Sequence, residues 1–426
     1  MTTDAREQKT ITCTGIGSAG VSVCQSTTEE DKKKIFLHGL IPGEKALVNI
    51  TKDNSNFLSA ELVQIISKSS SRITPECPYF NMCGGCQFQF MSINAERDAK
   101  LDMIKGFLSR QYKIDNFELI NASLDLPEYR YRRRIILHFS HDGLVGFHRN
   151  GTGQVVPIDS CLLAIPEIDK QIKEIKKLSL KLSVYAKAIE ISKSEKQVFT
   201  LFLRNRVNVT ELIKESNLIS SLMKLGNTVI RDQKTTFEVY RKGNGFGYRP
   251  ALDSFGHFSQ VNHFGNLKLH EIVKSYAFSS VCETVTELYA GSGNFTFLIQ
   301  EKFKKIDAVE LDEQLVRTGV NQAQKKKLDQ VITFHQSSCE HWVRKQKNLS
   351  ELVIMDPPRS GAKDVVKLAN WNLTKDIIYI SCDLASFARD LSMLNEKGFE
   401  LKKLYFVDMF PRTSHVELVG IISVKK

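Results

Sequence analysis

Four short apolar runs in the last third of the chain, TELYA (286–290), AVEL (308–311), LVIMD (352–356) and IIYIS (377–381), are each followed by a stretch long enough for a helix. This alternation constrains the fold more than any other feature. Continuous apolar runs suit strands buried on both faces, and strands that alternate with helices pair in parallel through helical crossovers. The pattern predicts a doubly wound sheet with its ligand crevice beyond the carboxyl ends of the strands. Two more strand-like segments, LKKLYFVDMF and SHVELVGIISV, end the chain and are expected to pair as a hairpin.

The 426 residues allow about three domains. Residues 11–66 read as short strands between turns, including Ile41-Pro42-Gly43-Glu44, and suggest a small antiparallel barrel. Ser67 to Ser71 reads as a linker. A cysteine-bearing loop follows, then a polar helix from about Ile93 to Gln111, then strands in YRYRRRIILHFS and GLVGFHR joined at His141-Asp142-Gly143. Residues 166–250 mix helical and strand patterns without an assignable chemical motif. The expected boundaries are 1–66, 67–250 and 251–426.

Fifty-nine Lys and Arg against 48 Asp and Glu leave a formal charge of +11, which suits a polyanionic partner but equally a basic solubility surface. No run of 18 apolar residues occurs, and MTTDAREQKT lacks the apolar core of a signal peptide, so a soluble cytoplasmic protein without membrane partner is expected. Nine cysteines, an odd number, point to reduced thiols, metal ligands or a nucleophile rather than a disulfide framework.

Chemistry-bearing residues gather at the ends of the predicted strands. Glu287-Leu-Tyr289-Ala-Gly291-Ser-Gly293-Asn294 marks a strand-to-helix turn, and Glu310 ends the next strand, where an acid can bind ribose hydroxyls. The turn has no Lys-Ser/Thr ending and carries Phe295 where a dinucleotide fingerprint has its third glycine. That favours S-adenosylmethionine over NAD. Asp356-Pro357-Pro358-Arg359 fixes a rigid turn that can hold an acid toward a flat heterocycle. Cys382, at a strand end before a helix, is placed for a lowered thiol pKa and nucleophilic attack. Glu417 falls in an apolar strand, as a paired acid or a general base with a raised pKa.

In this order ELYAGSGNFTF, VELD, DPPRSGA, YISCDLASFARDL and MFPRTSHVELV, with Phe258-Ser-Gln260-Val-Asn262 ahead of them, resemble the S-adenosylmethionine-dependent RNA 5-methyluridine methyltransferase family. The resemblance extends to the N-terminal barrel, which looks like a TRAM domain (an OB-like RNA-binding barrel), and to Cys77-Pro-Tyr-Phe-Asn-Met-Cys83-Gly-Gly-Cys86. It implies a Rossmann-like class I methyltransferase domain behind that barrel and a central α+β domain bearing the cysteines. By this resemblance Cys382 adds to C6 of uracil, Glu417 removes the C5 proton, and Gln260, Tyr289, Gly291, Asn294, Glu310 and Asp356 contact the cofactor. The target is structured RNA, with 23S rRNA favoured and tRNA the alternative, and no obligate protein partner is implied. A non-catalytic RNA-binding or assembly protein of the same fold is a further alternative, because Asp383-Leu384 follows the nucleophile where Asn-Pro is common. Arg412, Ser414 and Ser338 are further departures.

Cys77, Cys83 and Cys86, with Gly84 and Gly85 between them, have the spacing to wrap an inorganic centre. The resemblance supplies Cys161 as fourth ligand and implies a [4Fe-4S] cluster with a structural or RNA-positioning role; zinc is the alternative on ligand type. Cys13, Cys24, Cys282 and Cys339 read as packed thiols. Tyr129-Arg130-Tyr131-Arg132-Arg133-Arg134 interleaves rings and cations as an RNA-contact strand would, and Lys32 to Lys34 and Lys325 to Lys327 are weaker candidates.

Overall fold

The computed structural model describes residues 7–28, 32–193, 197–205, 207–232, 235–251 and 260–425. Strands β1 (Gln8–Ile16), β2 (Ser22–Ser26), β3 (Lys34–Leu37), β4 (Lys45–Asp53) and β5 (Phe57–Ser67) close a barrel in the order β1-β2-β3-β5-β4. Its pairs are antiparallel except β3 with β5, which run parallel. Alternate residues, among them Ile11, Cys13, Cys24, Ile35, Val48 and Leu58, fill its interior. The stretch read as a linker is anchored. The buried Glu44 carboxylate accepts the N–H groups of Ile41 and Ser69 at 2.9 and 3.0 Å and Arg72 Nε at 2.6 Å.

A second sheet is built from β7 (Arg134–Phe139), β8 (Val145–His148), β9 (Val155–Pro157), β10 (Ala186–Lys193), β11 (Gln197–Leu203), β12 (Asn227–Arg231), β13 (Thr236–Lys242) and β14 (Gly245–Pro250). They follow the order β14-β13-β12-β11-β10-β7-β8-β9. Helix Pro166–Tyr185 packs on it through Ile168, Ile172, Ile175 and Leu182, spaced as one helical face. Residues 129–133 do not extend β7, contrary to the strand expected there: the strand begins at Arg134, and Arg130 has a φ of +58°.

The third sheet contains β15 (Thr284–Leu288), β16 (Lys305–Glu310), β17 (Ile332–Gln336), β18 (Leu352–Met355), β19 (Asp376–Ser381), β20 (Phe399–Val407) and β21 (Glu417–Val424), with β6 (Glu118–Asn121) at one edge. Its order is β17-β16-β15-β18-β19-β21-β20-β6. Strands β15 to β19 are parallel, and β20 and β21 form the expected antiparallel pair. Chain order reverses between β15 and β18, which opens a crevice at their carboxyl ends.

Strand β6 and helix Ile93–Tyr112 come from the stretch that the sequence places in the middle unit, yet both join this third layer. Strand β6 pairs parallel with β20, and Ile104 and Leu108 of the helix enter its core. The helix also buries Glu96, Arg97 and Lys100. Lys100 Nζ donates to Glu96 at 2.7 Å and to Asp408 at 2.9 Å, so the burial of these charges is compensated. No helix among the described residues is long and apolar enough to cross a membrane.

Candidate active site

A cavity of about 550 Å³ opens at the crevice and is lined by Gln260, Glu287, Tyr289, Gly291, Asn294 and Asp356 among others. The turn after β15 shapes it. Tyr289 has a φ of +62°, and Gly291 and Gly293 have values of +58° and +99°. A Cβ on Gly293 would stand 2.6 Å from the Phe297 ring, so both the backbone angle and the space require glycine there. Glu310 does not line the cavity. Its carboxylate accepts the N–H groups of Gly291, Leu311 and Asp312 at 2.8–2.9 Å and braces the turn from behind.

Asn294 faces helix His263–Ser279, where His270 Nε2 lies 2.9 Å from Asn294 Oδ1, and Asn266 lies on the same amide. Both line the cavity, and sequence reasoning missed both. Their signal is the i, i+4, i+8 spacing of Asn262, Asn266 and His270, a polar stripe on one helix face. Phe258 and Ser259 lie outside the described residues.

Deeper in the crevice, Cys382, Glu417 and Asp356 come together. Ser381 pairs with Leu418 across β19 and β21, so the next rung sets Cys382 beside Glu417. Asp356 follows β18, the neighbour of β19. Burial pushes the Cys382 thiol up to about 11, with the Glu417 and Asp356 carboxylates adding to it and Arg359 opposing them. The lowered thiol pKa expected at this strand end is therefore absent, because desolvation and two acids outweigh one exposed guanidinium and the helix terminus. Burial likewise raises Glu417 well above the carboxylate range and Asp356 to about 6. Glu287, which accepts from the Thr296 hydroxyl, is pushed up to about 8 by burial, with the Asp356 carboxylate adding to it.

The departures after the nucleophile and near the cofactor find local uses. Asp383 turns away from the thiol to cap helix Leu384–Glu396, its Oδ1 accepting the Ser386 N–H at 2.7 Å. Ser338 caps helix Cys339–Lys345 in the same manner and does not line the cavity. Arg412 is buried and reaches the Met91 carbonyl, Glu96 and Glu128. From helix Leu384–Glu396, Asp390 accepts from Tyr379 Oη at 2.7 Å and the Ala362 N–H at 2.6 Å, which holds the DPPRSGA loop over β19.

Cys77, Cys83, Cys86 and Cys161 line one separate chamber of about 240 Å³ with Arg132, His138 and His148. Burial pushes Cys86 up to about 12 and raises Cys83 and Cys161. Arg132 Nε is buried without a hydrogen-bond partner among the described residues. No group of three or more His, Cys, Asp or Glu side chains among the described residues is placed to hold a single metal ion. Cys13, Cys24, Cys282 and Cys339 are buried free thiols.

The aromatic and arginine run is not the open RNA-facing strand that its composition suggests. Tyr131 is fully buried with its hydroxyl on the Pro411 carbonyl, and Arg130 Nη1 serves the carbonyls of Cys161 and Ala164 and the Asp169 carboxylate. Arg132 lies over the Phe410 ring at 5.8 Å. These groups hold the cysteine chamber against the loop before β21; their partners lie far away in the chain. Lys33 pairs with Asp53, and Lys325 ends helix Glu313–Lys325, where a cation suits the helix dipole.

A family model described as tRNA (uracil-5-)-methyltransferase matches residues 231–426. The chain is 28% identical over 413 residues to the 23S rRNA (uracil(1939)-C(5))-methyltransferase RlmD of Shewanella sediminis, covering 92% of this chain and 91% of that one. It is 27% identical over 411 residues to an uncharacterized RNA methyltransferase of Aquifex aeolicus, with 92% and 94% covered. It shares its fold with the Pyrococcus abyssi tRNA (uracil-54, C5)-methyltransferase solved with S-adenosyl-L-homocysteine, at a TM-score of 0.66 and 18% identity, covering 96% and 99% of the two chains.

Proposed function

We propose that the chain is an RNA uracil-C5 methyltransferase and that it methylates C5 of a uridine in 23S rRNA through a covalent adduct of Cys382. The observation that carries the mechanism is the meeting of Cys382, Glu417 and Asp356 beside a cavity bounded by the Tyr289 to Asn294 turn. End-to-end similarity to a ribosomal RNA enzyme supports rRNA over tRNA as the target.

C5 of uracil is a weak nucleophile. Addition of the Cys382 sulfur to C6 moves the ring electrons onto C5 and the adjoining carbonyl, so that C5 can attack a methyl cation equivalent. S-adenosylmethionine, when bound, supplies that methyl on a sulfonium. Gln260, Tyr289, Gly291, Asn294 and Asp356 hold it, with Glu310 bracing the Gly291 backbone. The Glu417 carboxylate then takes the C5 proton, the C5–C6 double bond re-forms, and the C6–S bond breaks with its electrons returning to Cys382. Burial that raises Glu417 makes it a strong base once ionised, and Arg359 favours that ionised form. The target base has to leave its stack to enter the crevice.

The four cysteines are read as ligands of a [4Fe-4S] cluster. The shared chamber and the unpartnered Arg132 Nε, a donor suited to an electron-rich sulfide, support this fit. Four thiolates are also the ligand set of a structural zinc site, which is the alternative. Iron and sulfide analysis of protein purified without oxygen tests it, and a colourless zinc-loaded protein refutes it. The barrel is read as an RNA-binding module.

Incubation with 5-fluorouridine-substituted 23S rRNA fragments and S-adenosylmethionine tests the reaction. A covalent complex that disappears in Cys382→Ala is expected, since fluorine at C5 cannot leave as a proton. Absence of the complex on rRNA with formation on tRNA moves the substrate class, and absence on both refutes the reading.

A further inference from the structure

The loop 408–416 delivers Glu417 to the site, and part of its grip comes from the cysteine-bearing segment. The N–H groups of Gln87 and Phe88 both donate to the Arg412 carbonyl, at 2.9 and 3.2 Å. The Ser414 N–H donates to Gln87 Oε1 at 3.1 Å, while Gln87 Nε2 donates to the Gly84 carbonyl at 2.9 Å. Gln87 follows Cys86 and Gly84 follows Cys83, so one amide side chain joins the cysteine turns to backbone three residues before Glu417.

We propose that Gln87 is a positioning residue for the elimination half of the reaction, holding the Glu417 loop against the cysteine-bearing turns. This rests on the function proposed above. Cys382 directly follows β19 and makes no part of this contact, so adduct formation and adduct resolution separate. The remainder of the loop is fixed independently: the Arg412 N–H donates to Glu96 at 2.8 Å, Tyr131 Oη to the Pro411 carbonyl at 2.9 Å, and Asn262 Nδ2 to the Met409 carbonyl at 2.9 Å. Loss of the Gln87 side chain therefore loosens the Ser414 end without unfolding the loop.

Gln87→Ala removes both side-chain bonds. Gln87→Glu keeps the acceptor for the Ser414 N–H and removes only the donor to Gly84. Three readouts separate them: covalent complex formation on 5-fluorouridine RNA, tritium release from [5-³H]uridine RNA, and amide hydrogen exchange at Ser414, with iron content measured alongside. Gln87→Ala is expected to form adduct within about twofold of wild type and to release tritium about fivefold more slowly, as loss of the bond from the Ser414 N–H implies. Its Ser414 amide exchanges faster and its iron content is unchanged, while Gln87→Glu restores release and protection. Unchanged release in Gln87→Ala, equal slowing in both variants, or slowing that tracks loss of iron overturns the proposal. A wild-type protein that forms no adduct refutes the functional reading instead, and exchange at Ser414 still reports the contact.

Discussion

The Cys382 thiol, proposed above as the attacking group, is protonated in the resting protein, and its reactivity follows from its surroundings. An ordinary thiol with a pKa of about 8.5 is roughly one-tenth thiolate at pH 7.5. Cys382, raised to about 11, is thiolate only about once in 3,000 molecules, a deficit of about 300-fold. A more basic thiolate is intrinsically more nucleophilic, and a Brønsted slope near 0.45 over about 2.5 units returns roughly tenfold. The RNA-free protein should thus alkylate at Cys382 about 30-fold more slowly than an accessible ordinary thiol at pH 7.5. The rate should climb tenfold per unit through pH 9.5. Iodoacetamide labelling followed by mass spectrometry of the Cys382 peptide measures this, and the slope separates a raised pKa from simple shielding, which would slow the reaction but level off near pH 8.5. Because burial is the largest cause of the raised thiol and Glu417 comes after it, Glu417→Gln should change labelling less than about threefold while abolishing turnover. A plateau below pH 9, or acceleration beyond fivefold in Glu417→Gln, would show that an ionised Glu417 rather than burial controls the thiol.

Two further outcomes test the frame around the site. Gly293→Ala forces a side chain into a backbone angle of +99° and against the Phe297 ring, so affinity for S-adenosylhomocysteine should fall at least about tenfold by calorimetry, with little change in circular dichroism. Asp390→Ala strips the partner from Tyr379 Oη, the Ala362 N–H and the Arg389 guanidinium, all beside the core, and should cost about 3 kcal/mol in denaturant unfolding followed by Trp371 fluorescence; a loss below about 1 kcal/mol would contradict the role given to this carboxylate.

What could be read from the residues followed physical visibility. Strands β15, β16, β18 and β19 announce themselves because parallel strands covered on both faces carry unbroken apolar runs. The residues at their carboxyl ends are therefore placed as soon as the strands are, and Tyr289, Asp356 and Cys382 line or adjoin the crevice as expected. Helix Ile93–Tyr112 is legible as a helix, but its place in the third layer stays hidden because it buries Glu96, Arg97 and Lys100 against charges that include Asp408, more than 300 residues on, so its inner face looks like solvent. The arginine run misleads for the same reason: a cation shows its charge in the sequence but not the carbonyls of Cys161 and Ala164 that receive it. The thiol pKa was beyond reach because its direction is set first by burial, with Glu417 and Asp356 adding to it, and both follow from how distant strands pack rather than from local composition.

Strand β6 ties the two ends of the chain together in time as well as space. The sheet that carries Cys382 and Glu417 finishes on four residues lying near position 120, paired with β20 beyond position 399. On the ribosome β6 is made long before its partner exists, so it has to wait through the synthesis of the whole second sheet before it can dock. A fragment starting at residue 251 would carry the catalytic pair but leave the free side of β20 exposed as an unpaired edge, a surface prone to recruit other strands. The early part of the chain thus supplies an edge strand of the sheet that carries Cys382 and Glu417.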